Sequence, residues 1–203
     1  PKKGTPCHVF SAGADVEQFV HVGKIEAGYE FIKICFEPFK AIENAETPVI
    51  AAVNGSAFGF GFEIQGCCDF SICSTNAKFA LKELNHGAIP AWALTRGVEL
   101  YGNSLISFLA LSTKEIEPEE AKRLGIVIDV YEPEDLLPQA EELAARIAKN
   151  SYIGKTFVKR LLNRNNVAQY QDAERFMPAV FATEFMQGTF ARFLSGVTKN
   201  IKN

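Results

Sequence analysis

The residues that mark specialised protein classes are scarce in this chain. Its 203 residues include one tryptophan, two methionines and three histidines, His8, His21 and His86. No apolar run approaches the roughly 20 residues that a bilayer-spanning helix needs. Charge of either sign is barely in excess. Lys and Arg total 21 against 24 Asp and Glu, a net −3 with a pI of about 5.7, so the basic footprint of a nucleic-acid binder is missing. Five cysteines, at 7, 35, 67, 68 and 73, form no CxxC pair. With so few histidines they make no converging zinc set, and no metal is expected. They read as reduced thiols packed like small hydrophobes. That points to a reducing compartment, and a cytoplasmic location is expected. The phosphate-cradling GxxxxGK[ST] and the GxSxG nucleophile turn are both lacking.

What is present is a globular composition: 47% hydrophobic, 22% charged, with 17 phenylalanines. The length suits one domain with an extension. Cys7 to Phe10 reads as the end of a strand, followed by the small residues Ser11 to Ala14. Asp15 with Gln18 has the spacing of a capping box. Phe31, Ile34, Cys35, Phe39 and Ile42 recur at helical spacing, with Pro38 placed to kink the helix. Pro48 to Val53 is a short apolar run stopped by Asn54-Gly55, the pattern of a fully buried strand. Strands are also expected at 70–74, 78–81 and 126–130, and helices at 91–101 and 104–111. Pro118 and Gly125 frame a further short helix. From Pro138 onward the pattern is helical, and a stripe of Phe190, Phe193, Leu194, Val197 and Ile201 closes the chain. Strands early and helices late predict an α/β core over residues 1–138 and a helical region over 139–203.

Gly59-Phe60-Gly61 leaves a strand and opens a helix, but Ile64 stands where a dinucleotide fingerprint needs its third glycine. What remains is a helix N-terminus with small flanking residues, whose outward N–H groups favour negative charge. An oxyanion hole needs such donors; a tight structural turn has the same residues. Glu63 stands among Phe58, Phe60, Phe62 and Ile64. Buried there, its pKa would rise into the useful range for an acid or base. Glu83, in Lys82-Glu83-Leu84-Asn85-His86-Gly87, reads from spacing alone as a loop carboxylate.

These stretches, taken in order, resemble the enoyl-CoA hydratase/isomerase (crotonase) superfamily. The similarity runs through Phe10-Ser11-Ala12-Gly13-Ala14-Asp15, Pro48 to Gly55, Ala57 to Glu63 and Cys68-Asp69. It continues in Ala77 to Ala80, Glu83, Gly87, Ile89-Pro90, Glu119-Glu120-Ala121 and Leu124 to Val127. In the tail it includes Phe181, Thr183, Glu184, Gly188 and Phe193. The resemblance implies a ββα spiral core with a C-terminal helical trimerisation region, and it implies strands that precede Phe10 in relatives and are missing here.

By that resemblance the substrate is an acyl-CoA thioester. Backbone N–H groups of Ala14 and Phe60 would form the oxyanion hole, and Glu63 and Glu83 would activate water and move a proton. Ala12, Ala14, Asp15, Val16 and Phe60 would contact the substrate and its CoA. Coenzyme A then belongs to the substrate and no separate cofactor is needed. Retention of both carboxylates favours hydration of a 2-enoyl-CoA to a 3-hydroxyacyl-CoA. Double-bond isomerisation and non-catalytic acyl-CoA binding are the alternatives. The chain departs from the family pattern where Phe60 replaces a glycine, where Ala91-Trp92-Ala93-Leu94 replaces a glycine-rich entry, and where His8 and Glu17 replace basic residues. The Phe60 ring is expected to narrow the acyl pocket. A homotrimer or homohexamer is the expected assembly, with neither nucleic acid nor membrane as a partner.

Overall fold

The chain repeats one unit: a strand, a tight turn, a second strand and a helix. The structure is a computed structural model that describes residues 8–15 and 25–194. Strand β1 (Val9–Ser11) is followed by helix α1 (Ile25–Asn44), β2 (Ile50–Val53), β3 (Ser56–Phe58) and α2 (Phe60–Cys67). Then come β4 (Phe70–Ser74), β5 (Lys78–Ala80) and a single 3₁₀ turn, Glu83–His86. A π-helical turn, Ala93–Gly97, leads into α3 (Val98–Tyr101), α4 (Asn103–Ser112), α5 (Pro118–Arg123) and β6 (Asp129–Tyr131). The remaining described chain is helical: α6 (Pro133–Ala148), α7 (Tyr152–Leu162), α8 (Asn166–Phe181) and α9 (Glu184–Leu194). Each successive unit adds one strand to each of two parallel three-stranded sheets, ordered β1-β3-β5 and β2-β4-β6. This is the expected ββα spiral with a helical C-terminal part.

Both sheets and α2 enclose an aromatic core. Phe36, Phe39, Phe62, Phe79, Trp92 and Phe181 are fully buried. Helix α1 places Ile32, Phe36, Phe39 and Glu43 on its buried side, at intervals of four, three and four residues. The expected stripe is therefore rotated: Ile34 is 69% exposed, while Phe31, Cys35 and Ile42 form half-buried flanks. Pro38 does not end the helix. It lies on the solvent side one turn after Ile34, so the carbonyl it deprives of a donor stays close to water.

Other elements differ from the sequence reading by local causes. β2 is buried on one face only, because Ile50 and Ala52 look toward a half-open groove under α6. β6 begins at Asp129; Ile126 and Val127 are buried but sit in the turn after Gly125, where their N–H groups bond to Ala121 O. The last helical region starts at Pro133, and Pro138 lies within the second turn of α6. Gln18 and the rest of the supposed capping box after Asp15 lie outside the described residues. So do Val197 and Ile201 of the terminal stripe and the side chains of Phe190, Phe193 and Leu194. No described helix is long and apolar enough to cross a membrane.

Candidate active site

The site forms where β3 passes into α2 through one residue. Gly59 has φ 54° and ψ −122°, a conformation that side chains oppose. Its N–H bonds to Ala80 O on the neighbouring strand at 2.9 Å, and its carbonyl accepts the Glu63 N–H at 3.0 Å. The next residue, Phe60, is the first of α2, so its N–H has no acceptor within the helix. The loop after β1 comes close to this turn. Gly13, at φ 108°, has a backbone conformation that side chains oppose, and a Cβ there would lie a tight 3.0 Å from Phe58 O and 3.6 Å from Phe60 N. A cavity of about 160 Å³ opens between the two backbones. Ala12, Gly13 and Ala14 line one side, Gly59, Phe60 and Glu83 the other. The space compares with an engineered ~150 Å³ cavity that takes a benzene ring.

Ala12, Ala14 and Phe60 thus converge as expected, and Glu83 stands on the same wall. Asp15 lies at the exposed edge of the loop, and Val16 is outside the described residues. The Phe60 ring is half-buried and packs on Phe39, with centroids 5.1 Å apart, so the core holds it from behind. Glu63 is fully buried beneath this wall, not part of the cavity lining. Met177 of α8, Lys82, His86, Ala88 and Ile89 complete the lining and were missed in the sequence. Ile89 stood within the resemblance. Met177 carried no signal, because α8 meets the cavity only through the tertiary fold.

The two carboxyl groups lie in surroundings that disfavour their charge. One Glu63 oxygen, Oε1, accepts the Ala93 N–H at 3.1 Å. Oε2 meets no donor among the described residues, and neither does either oxygen of Glu83. Burial pushes the Glu83 carboxyl up to about 7. Burial raises Glu63 well above the usual carboxylate range, the Glu83 charge adds to that rise, and the backbone N–H groups of Ala93 and Trp92 oppose it. Each carboxyl is therefore easier to protonate than an ordinary surface carboxylate. Gly59 also gives Glu83 its place: a Cβ there would lie 3.0 Å from Glu83 Oε1. No group of three or more potential metal ligands occurs among the described residues. The donors and carboxyls suit a polarised carbonyl and proton transfer.

The enoyl-CoA hydratase/isomerase family model matches residues 4–194. The chain is 34% identical over 177 residues to the short-chain-enoyl-CoA hydratase of Clostridium acetobutylicum, covering 87% of this chain and 67% of that protein. It is 37% identical over 155 residues to the crotonyl-CoA hydratase of Syntrophomonas wolfei, covering 76% and 59%. The chain thus spans about two-thirds or less of the length of these relatives. A crystal structure of an enoyl-CoA hydratase from Mycobacterium avium subsp. paratuberculosis shares the fold, with a TM-score of 0.73 at 22% identity over 97% of this chain and 77% of that one. The chain belongs to the enoyl-CoA hydratase/isomerase family.

Glu83 is a group whose folded value, about 7, stands above its ordinary value of 4.5. It stabilises the fold most fully when protonated, below pH 4.5, and that contribution is lost as pH rises through about 7. Glu83→Gln, which stays neutral, is therefore expected to exceed the wild type in stability above pH 7, with the gap closing as pH falls toward 4.5. Chemical denaturation at a series of pH values checks this; a constant gap would contradict it.

Proposed function

We propose that this family member hydrates a short 2-enoyl-CoA to a 3-hydroxyacyl-CoA. The observation that carries the reading is the juxtaposition of a helix-opening N–H, at Phe60, with the buried carboxyl groups of Glu63 and Glu83. The names of the two hydratase relatives support the same reaction. In it the thioester oxygen accepts hydrogen bonds from the Ala14 and Phe60 N–H groups. That draws electrons from the conjugated double bond and leaves C3 electrophilic. The ionised member of the Glu63–Glu83 pair takes a proton from water as its oxygen bonds to C3. Negative charge moves to the thioester oxygen, where the two donors hold it. The protonated member then delivers its proton to C2, the carbonyl re-forms, and the sum is the addition of one water. An oxyanion donor of this kind is worth about 10²–10³ in rate. Retention of two carboxyls favours hydration over isomerisation, which needs chiefly one.

Coenzyme A arrives with the substrate, so the reading calls for no separate cofactor and no metal. Ala12, Ala14, Asp15 and Val16 are assigned to contact with the substrate and its CoA, on the family resemblance of that stretch. Cys35, Cys67, Cys68 and Cys73 are free thiols, which agrees with a cytoplasmic location.

A homotrimer, or a hexamer built from two trimers, is the assembly we assign. Its support is the apolar surface of the C-terminal helices: Ile153, Phe157, Val158, Leu161 and Leu162 of α7 and Phe176 of α8 are each more than half exposed. Phe181 does not belong to that surface, since it is fully buried against Phe31 and Gly28 of its own chain. Light scattering at micromolar concentration should report a trimer or a multiple of it, reduced by Phe190→Asp and Phe193→Asp. A monodisperse monomer would contradict the assignment.

The activity test uses crotonyl-CoA, whose conjugated enoyl-thioester absorbance bleaches on hydration. Glu63→Gln and Glu83→Gln should each lose at least ~10² in rate, the low end for general acid–base groups, while remaining folded. Wild-type turnover in either variant removes that residue from the mechanism. Turnover only of a 3-enoyl-CoA would favour isomerisation instead.

A further inference from the structure

A third buried carboxyl group, that of Glu43, lies on the core-facing side of α1, and both of its oxygens are hydrogen-bonded. Its Oε1 accepts the Trp92 indole N–H at 3.4 Å and the Arg96 Nε–H at 3.3 Å. Its Oε2 accepts from Asn166 Nδ2 at 3.0 Å and from the Tyr170 hydroxyl at 3.1 Å. Its backbone carbonyl accepts from Asn163 Nδ2 at 2.9 Å. Arg96, itself buried, spends its other nitrogens on Glu99 and Asn163, each at 2.6 Å. A buried carboxylate is costly unless paired and hydrogen-bonded throughout. Among apolar stripe residues such a group needs a reason to be there.

The reason lies in which segment it grips. Trp92 and Arg96 bracket Ala93, the residue whose N–H meets Glu63 Oε1. Ala93 begins the π-helical turn and lies in the first turn of the helix that opens at Ala91, where a backbone N–H has no acceptor within the helix and is left for Glu63. The opposite side of Trp92 is fixed too. Its ring lies so close to Gly66 of α2 that a Cβ there would come within 2.5 Å of Cη2. Trp92 is thus caught between the helix that carries Glu63 and the Glu43 carboxylate on α1.

We propose that Glu43 is a positioning residue for Glu63: through Trp92 and Arg96 it clamps the π turn so that the Ala93 N–H stays on Glu63 Oε1. This rests on the hydratase reading only for its effect on rate; its effect on Glu63 itself does not. An N–H bond to a carboxylate favours the ionised form. Loosening the clamp therefore raises the Glu63 pKa further and moves the carboxyl from the pose that serves the reaction. The other titratable groups facing Glu63 are Glu83 on the 3₁₀ turn, Cys35 on α1 and Cys67 on α2; the titration below replaces Glu83 by neutral Gln throughout and leaves both cysteines in place. Glu43 itself faces Arg96, Tyr170 and Cys67.

The test is a titration of the Glu63 carboxyl by ¹³C NMR, in a Glu83→Gln background so that one group titrates alone, with the signal assigned by Glu63→Gln. Trp92→Phe keeps an aromatic side chain, though a smaller one, and all charges, but removes the indole donor. It should move the Glu63 midpoint upward by about one pH unit, the worth of one hydrogen bond to a carboxylate. Glu43→Gln and Glu43→Ala remove the same charge, but the amide oxygen still accepts from Trp92 and Arg96. The midpoint should accordingly stand higher in Glu43→Ala than in Glu43→Gln. With Glu83 restored, kcat on crotonyl-CoA should fall about tenfold in Trp92→Phe with KM within about twofold, a loss confined to the chemical step. A folded Trp92→Phe with the wild-type midpoint and kcat overturns the proposal. Should Glu43→Ala fail to fold, Trp92→Phe alone decides. If the wild type does not hydrate crotonyl-CoA, the functional reading fails while the titration still judges the clamp.

Discussion

Everything in the site depends on Gly59 carrying the chain from β3 into α2 at positive φ, beneath the Glu83 carboxyl. That one residue turns the Phe60 N–H outward at the start of a helix. Its carbonyl, accepting from Glu63, fixes where the first turn of α2 puts that side chain. The lack of a Cβ leaves the space that Glu83 Oε1 occupies. Backbone donor and first carboxyl come from the first turn of α2 and the second carboxyl from the 3₁₀ turn, and the turn at Gly59 is what they share. Any larger residue would meet both an opposed backbone conformation and the Glu83 side chain.

Around this turn the protein accepts a local cost. Two carboxyls sit where burial raises both pKa values, and three of their four oxygens lack a donor among the described residues. A stability-optimised core would not keep them. Elsewhere the same core treats its polar groups differently: Glu43 is surrounded by donors, and the buried Lys159 ammonium meets Asp69 at 2.7 Å. The contrast separates the carboxyls proposed to take part in the reaction from those that hold the scaffold. The aromatic layer of Phe39, Phe60 and Trp92 lies between the two sets, with Phe39 touching both of the others.

The sequence revealed most where the information is local. The strand after Pro48, the strand-to-helix turn at Gly59 and the caps at Pro118 and Gly125 are written in adjacent residues, and the structure bears them out. The roles assigned to Ala14, Phe60, Glu63 and Glu83 came from family resemblance; spacing alone left Glu83 an ordinary loop carboxylate. The structure brings the four together, with Glu63 behind the cavity wall. What escaped was non-local. The buried face of α1 was misjudged because helix α8 covers one flank, which no periodicity within α1 reveals. Met177 reaches the cavity from 94 residues beyond Glu83 along the chain. The Glu43 cluster draws on α1, on the π turn and the Trp92 before it, on the Asn163 that follows α7, and on α8. Its one visible trace was a glutamate in register with Ile32, Phe36 and Phe39.

The central claim is that a thioester oxygen sits between the Ala14 and Phe60 N–H groups, with its reacting carbons facing Glu63 and Glu83. A crystal structure with a short, unreactive acyl-CoA analogue tests it most directly. The account predicts the thioester oxygen about 2.7–3.1 Å from both nitrogens, the range of an oxyanion donor, with C2 and C3 on the side of the two carboxyls. An acyl group bound outside the cavity, or an oxygen in contact with neither nitrogen, would contradict it.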